Sequence, residues 1–262
     1  MDTLRPCPAP IALTLFSALA RRPEREYGES GFAHLKERCA AIILDPHHPK
    51  SVRVNNITSK LVHAIDNHIA IKSHDTVMLH RGSVDSAVEV LRRKLGINAR
   101  PATGHLNGLK WEVIVVKKKR VAMWSYPAGK IIVPTGLLQF FNSEDAEVAF
   151  IIAHEIAHIV ARHESESIIY KWLPRPLRMP FTRRAEREAD QIGMMILAAA
   201  GFDPRIAPLT FKKLGDSNRR FFSTHPSNKK RSQLLSEPKI MEAALELYRV
   251  HRESNPDTQG SL

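Results

Sequence analysis

The spacing of apolar residues predicts that the N-terminal part of the chain is helical. From Phe32 to Ile43 apolar residues recur every three to four positions, which is the period of an α-helix. The same spacing predicts a second helix over 54–69. It predicts a third over Ser83–Leu95, where Ser83 is a suitable N-cap and Gly96 ends the helix.

The middle of the chain has a pattern typical of short β-strands. Residues 111–116 and 130–133 are rich in β-branched side chains and are bounded by glycine and proline. We interpret the basic run between them, Lys117–Arg120, as a solvated hairpin or loop.

After Gly136 the helical period returns. It predicts a long apolar helix from Asn142 or Ser143 to about Val160, and a further helix over 182–200 that ends at Gly201. The fold class is therefore α+β, mostly helical, with a small sheet.

Composition and charge limit the classes of protein to which the chain can belong. The 262 residues are 43% hydrophobic and 25% charged, which excludes wholesale disorder. The 39 Lys and Arg against 27 Asp and Glu give a net charge of +12, which allows an anionic partner without choosing among nucleic acid, membrane and acidic substrate. Two cysteines are too few for a disulfide framework, and no apolar run reaches the ~18–20 residues that span a bilayer.

We expect three regions along the chain. Residues 1–25 form an atypical N-terminal segment, either targeting or disordered, residues 26–250 form the domain, and residues 251–262 form a disordered tail. A secretory signal ending at Ala20 is the less favoured interpretation of the first segment, because only Arg5 supplies positive side-chain charge ahead of it.

The predicted helix over 142–160 carries a pattern that suits metal chemistry. His154 and His158 are four residues apart, so their imidazoles lie on one face and can converge on a single Zn²⁺. Glu155, between them, is placed to act as a general base. The alternative is a pair of core histidines satisfied by ordinary hydrogen bonds.

A catalytic zinc site needs a third protein ligand. His163 is excluded as the third ligand because, five residues beyond His158, it would lie well round a continuing helix from the metal face. Glu186 on the next helix is the predicted ligand, and Asp190, one turn later, is predicted to accept a hydrogen bond from a ligand histidine. The alternative for that segment is an ordinary charged helix surface.

These motifs together resemble the gluzincin metallopeptidase family that contains HtpX and the CAAX-processing membrane proteases, and in particular its mitochondrial Oma-type branch. The likeness runs from about Arg25 to Arg249. It includes segments outside the two helices: 127–138, 200–204, 223–227 and Arg231. The resemblance implies a zincin-type domain with the small sheet beside the active-site helix. It also implies one Zn²⁺ per chain held by His154, His158 and Glu186, with Glu155 as catalytic base.

The resemblance implies two further roles. His225 would be an active-site residue near the peptide carbonyl, although composition alone makes it a surface turn residue before Pro226. The strand Lys130, Ile131, Ile132, Val133 would be the edge that holds an extended protein or peptide substrate by main-chain pairing.

The activity implied is a zinc metalloendopeptidase in protein quality control or in processing of mitochondrial membrane proteins. The location implied is the mitochondrial inner membrane, with a peripheral or soluble location as the alternative because the chain lacks a clear span. The sequence does not determine whether the protein forms an oligomer.

Two departures from the family leave an alternative function open. Pro127-Ala128-Gly129 stands where the family has Pro-Gly-Gly, and only 27 residues separate His158 from Glu186. A catalytically inactive, truncated homologue that acts as an interaction protein is therefore the alternative.

The basic connector between the two motifs interleaves Trp172, Leu177 and Phe181 with arginines. This pattern suits an anionic membrane surface or a solvated loop. Nucleic acid is not an expected partner, and a basic nucleic-acid-binding module is the less favoured alternative function, because no recognition motif accompanies the charge.

Overall fold

A computed structural model describes residues 21–68, 105–106, 108–142, 144–170, 172–215 and 227–255. The predicted helix over Ser83–Leu95 and the candidate residue His225 lie outside these ranges. In chain order the described elements are α1 (Arg21–Cys39), a short 3₁₀ turn (Ala40–Ile42), α2 (Pro49–His68), β1 (Glu112–Val116), β2 (Trp124–Tyr126), β3 (Lys130–Pro134), α3 (Thr135–Phe140), α4 (Asp145–Val160), α5 (His163–Tyr170), α6 (Arg175–Ala199), α7 (Ile206–Leu214), α8 (Asn228–Leu235) and α9 (Pro238–Ser254).

These elements confirm the α+β class, mostly helical with a small sheet. Helix α1 begins at Arg21 and α9 ends at Ser254, so helical structure extends a few residues beyond both limits expected for the domain, 26 and 250. Among the described helices, none combines the length and the apolar character that crossing a bilayer requires.

Helix α4 lies at the centre of the structure, since its sequence is apolar on nearly every face. Eleven of its residues are buried, including the polar His154. The helix begins at Asp145 rather than at Asn142, because Asn142 adopts a left-handed backbone (φ 46°) and Glu144 takes the N-cap position. The negative charges of Asp145 and Glu147 in the first turn interact favourably with the positive end of the helix dipole.

Helix α6 begins seven residues earlier than the predicted start at 182. Pro174 is its N-cap and Pro176 lies in its first turn, where a missing backbone N–H costs nothing. Pro180 lies inside the helix, where its fixed φ is compatible with helical backbone although one hydrogen bond is lost. The second half of α6 is buried and packs along α4.

The three strands have the order β1-β3-β2, with β1 parallel and β2 antiparallel to β3. Strand β2 was not predicted, because its three half-buried residues are too few to show a strand pattern. Strand β3 is paired on both sides and all five of its residues are buried. Lys130–Val133 therefore lies in the centre of the described sheet and does not form the edge that the family resemblance implied.

Both faces of the sheet are covered, which explains the continuous apolar runs of β1 and β3. Ile131 and Val133 face the main core with α2, α4 and α6, whereas Ile132 faces a smaller cluster with Phe32 of α1. The sheet is thus fixed between α1 and the central helices, and β2 is held at its margin.

Gly193 lets α6 approach α4 closely. A Cβ built on Gly193 would lie 3.0 Å from both the Cα and the N of His154, which are backbone atoms of α4. The contact sits at the level of the first histidine of the motif, so the spacing of the two helices and the site depend on it.

We predict that Gly193→Ala destabilises the protein, although alanine favours a helix by ~1 kcal/mol over glycine in other positions. Separating two packed backbones costs about 1–3 kcal/mol, measurable as a lower free energy of unfolding in urea. The exposed Arg187→Ala in the same helix serves as control and should change stability little. A Gly193→Ala variant more stable than the wild type would contradict the prediction.

Candidate metal centre

The crossing of α4 and α6 brings three side chains to one point. The two Nε2 atoms of His154 and His158 lie 3.1 Å apart. Glu186 of α6 places one carboxylate oxygen 3.4 Å from His154 Nε2 and the other 3.6 Å from His158 Nε2. In the described part of the chain, these three residues are the one group of three or more His, Cys, Asp or Glu side chains whose ligand atoms all lie within 4.8 Å of one another.

The spacing of these atoms fits a tetrahedral metal ion. Bonds of about 2.0–2.1 Å to Zn²⁺ at tetrahedral angles place neighbouring ligand atoms roughly 3.3–3.4 Å apart. The three observed separations bracket that value. Two imidazoles and one carboxylate are also a donor set typical of catalytic zinc, which leaves a fourth position open.

Behind the first histidine lies a buried carboxylate. Asp190 Oδ1 is 3.0 Å from His154 Nδ1, the ring nitrogen that points away from Glu186. Asp190 is fully buried, one turn after Glu186 in α6, and its position is the one that the helix periodicity suggested. This contact orients the His154 ring so that Nε2 faces the centre.

Asp190 is in turn neutralised by a buried guanidinium. Arg231 Nε donates to Asp190 Oδ2 at 2.8 Å, and its NH2 group donates to Oδ1 at 2.5 Å. The guanidinium also stacks 4.0 Å from the ring centroid of Phe211, and only 2% of Arg231 is exposed. Sequence reasoning gave Arg231 no chemical role, since one arginine in a basic helix carries no pattern that marks it as buried.

The charges at the site explain the direction of each pKa shift. Burial opposes the charged form of His154, but the hydrogen bonds that its ring donates to Asp190 and Glu186 outweigh burial and raise the pKa of His154 to about 9 without a metal. Burial alone would raise the pKa of Asp190, but Arg231 reverses this and lowers it. The carboxylates around His154 thus stabilise a positive charge at this point, as a cation site requires.

Glu155 lies in an open cleft of about 350 Å³ beside the centre. Its carboxylate accepts a hydrogen bond of 2.6 Å from the Ser125 hydroxyl on β2. The cleft is lined mainly by residues of β2, α4, α5 and α6, and His158 and Glu186 are among them. Ser125 was also missed from the sequence, because the strand that carries it was not predicted.

His163 lies beside the centre, contrary to the sequence argument. The helix does not continue past Val160, because Arg162 adopts a left-handed backbone (φ 58°) and turns the chain. His163 thereby returns to the second histidine, with its Nδ1 3.0 Å from His158 Nδ1. His163 is not one of the three converging groups, but the prediction that it lies well round a continuing helix from His158 was wrong.

The fold and this centre are those of a metallopeptidase domain. The family model of peptidase family M48 matches residues 81–175 and 173–239. The chain belongs to peptidase family M48, which confirms the family resemblance drawn from the two helix motifs.

Named relatives agree with this assignment. The chain is similar to the mitochondrial metalloendopeptidase OMA1 of Arabidopsis thaliana, with 34% identity over 95% of this chain and 64% of that protein. The protein of the same name from Saccharomyces cerevisiae is 28% identical over 89% of this chain and 68% of its own length. The β-barrel assembly-enhancing protease of Escherichia coli is 22% identical over 53% of this chain and 35% of its own length.

We predict that Arg231→Met costs about 3–5 kcal/mol in the free energy of unfolding, because it removes the guanidinium that neutralises the buried charge of Asp190. Urea denaturation of the metal-free chain measures this. The matched control is Arg205→Met, which removes an arginine from the exposed pair with Asp203 and should have little effect. Equal, small losses in both variants would show that the Arg231 pair does not support the site.

Proposed function

We propose that the chain is a zinc-dependent metalloendopeptidase that hydrolyses peptide bonds of protein substrates. The observation that carries the proposal is the triangle of His154, His158 and Glu186 beside a cleft that contains Glu155. Ligand set, general base and room for a substrate segment occur together, which an interaction protein would not require. The chain spans 64% of the length of its Arabidopsis relative, so the activity of that whole protein is part of this proposal.

In this proposal His154, His158 and Glu186 hold one Zn²⁺. When bound, zinc supplies Lewis-acid polarisation of the peptide carbonyl. Glu155 takes a proton from the attacking water and passes it to the leaving amine. Ser125 holds the carboxylate of Glu155 in place through its 2.6 Å hydrogen bond.

The substrate would bind along β2 rather than along the strand that the resemblance suggested. Strand β3 already uses its main chain on both sides, whereas β2 is one of the two outer strands of the described sheet. Trp124, Ser125 and Tyr126 line the cleft next to Glu155. An extended peptide that pairs with this edge would be held by main-chain hydrogen bonds beside the general base.

The proposed location is mitochondrial, which the names of the Arabidopsis and yeast relatives support.

We further propose that the segment around the start of α6 contacts an anionic membrane surface. Trp172 and Leu177 are 89% and 59% exposed, and Arg183 and Arg184 nearby are also exposed. Apolar side chains beside cationic ones suit the boundary between acyl chains and anionic headgroups.

We expect Glu155→Gln to bind zinc as the wild type does, since Glu155 is not in the ligand set. Its cleavage of an unfolded protein such as casein should fall about 10²–10⁴-fold, because the proton transfer lacks its base. Metal analysis of the purified chains and a casein assay with and without chelator measure both effects. Glu246→Gln, a change on the surface of α9, is the control and should leave both unchanged.

The outcomes separate the candidate functions. A wild-type chain that binds no zinc would refute the metalloendopeptidase proposal. A chain that binds zinc but cleaves no unfolded substrate would favour the inactive interaction protein instead.

For the membrane contact, we expect binding to phosphatidylcholine vesicles only when they contain phosphatidylglycerol, with weaker binding at high salt. The double variant Trp172→Ser, Leu177→Ser should lose roughly tenfold or more in affinity, because both side chains would otherwise be buried in the surface. Leu209→Ser, at a site 50% exposed on α7, is the matched control in a flotation assay. Equal binding of both variants would contradict the proposed surface.

A further inference from the structure

The two histidines of the centre have different partners at their outer nitrogens. Nδ1 of His154 faces the carboxylate of Asp190 at 3.0 Å. Nδ1 of His158 lies 3.0 Å from Nδ1 of a third histidine, His163. The two imidazole rings are 4.9 Å apart between centroids and inclined at 74°.

The chemistry of a ligand histidine fixes the direction of this contact. If His158 binds a metal through Nε2, its neutral ring carries the proton on Nδ1. That N–H donates, so Nδ1 of His163 accepts. The proton of His163 is then on Nε2, which lies 3.6 Å from a carboxylate oxygen of Glu188 in α6.

The surroundings of His163 favour a fixed ring. His163 is only 7% exposed, so water does not compete freely for its nitrogens. The turn that delivers it is held by Arg162, whose guanidinium donates twice to Glu24 of α1, at 2.6 and 2.9 Å. Both side chains of that pair are largely buried, with 11% and 12% exposed. The turn is therefore tied to a separate helix.

We propose that His163 is a positioning residue that fixes the ring orientation and the tautomer of His158. It serves the second histidine as Asp190 serves the first. This inference rests on the proposed function, in which His158 is a metal ligand. A partner at the outer nitrogen of a ligand histidine raises metal affinity by restricting the ring to its binding orientation.

The test compares two amide side chains at position 163 in the full chain. The amide of asparagine reaches the place of Nδ1, next to His158, whereas that of glutamine reaches the place of Nε2. Zn²⁺ affinity is measured on metal-free protein by competition with a chromophoric chelator. We expect His163→Asn to stay near the wild type, and His163→Gln and His163→Leu to bind about 10–100-fold more weakly.

Two further measurements separate positioning from folding. Thermal unfolding of the metal-free variants shows whether each one folds, and the Asn and Gln variants have the same polarity. The visible spectrum of the Co²⁺-loaded chains should change in His163→Gln but not in His163→Asn. His251→Leu in α9, a partly buried histidine outside the centre, should leave Zn²⁺ affinity unchanged.

Equal Zn²⁺ affinity of the Asn and Gln variants would overturn the positioning role while leaving the metal centre intact. Failure of the wild-type chain to bind Zn²⁺ would overturn the proposed function and this inference with it.

Discussion

The close crossing of α4 and α6 is the constraint on which the rest of the structure depends. Neither helix holds the candidate centre alone, since α4 supplies two imidazoles and α6 supplies the carboxylate. Gly193 allows the two backbones to approach closely at the level of His154. Packing density, not only ligand chemistry, therefore sets the distances among the three groups.

Placing three carboxylates near one point in the interior is unfavourable unless positive charge accompanies them. Arg231 provides one fixed charge from a helix distant in sequence, α8, and bonds Asp190 through two nitrogens. The remaining negative charge favours a cation between the imidazoles. The same guanidinium lies 3.7 Å from a carboxylate oxygen of Glu186, so the position of α8 is linked to the electrostatics of the centre.

Much of the fold and of the candidate site followed from periodicity and spacing. Helical spacing relates His154 to His158 and Glu186 to Asp190. The sequence alone therefore places each pair on one helix face, without knowledge of the fold. Strand β2 and its Ser125 could not be found in this way, because three half-buried residues carry no repeat. The position of His163 depended on one left-handed residue, Arg162, and a bulky side chain at such a position gives no local signal.

The position of β2 at the margin of the sheet has a consequence for substrate choice under the proposed function. A folded protein has already paired most of its strands, so it offers little main chain to a narrow cleft. An unfolded or frayed segment offers main chain of almost any sequence. Selection would then depend on the loss of structure in the substrate, and the half-buried side chains of Trp124 and Tyr126 would only adjust which frayed segments are held longest.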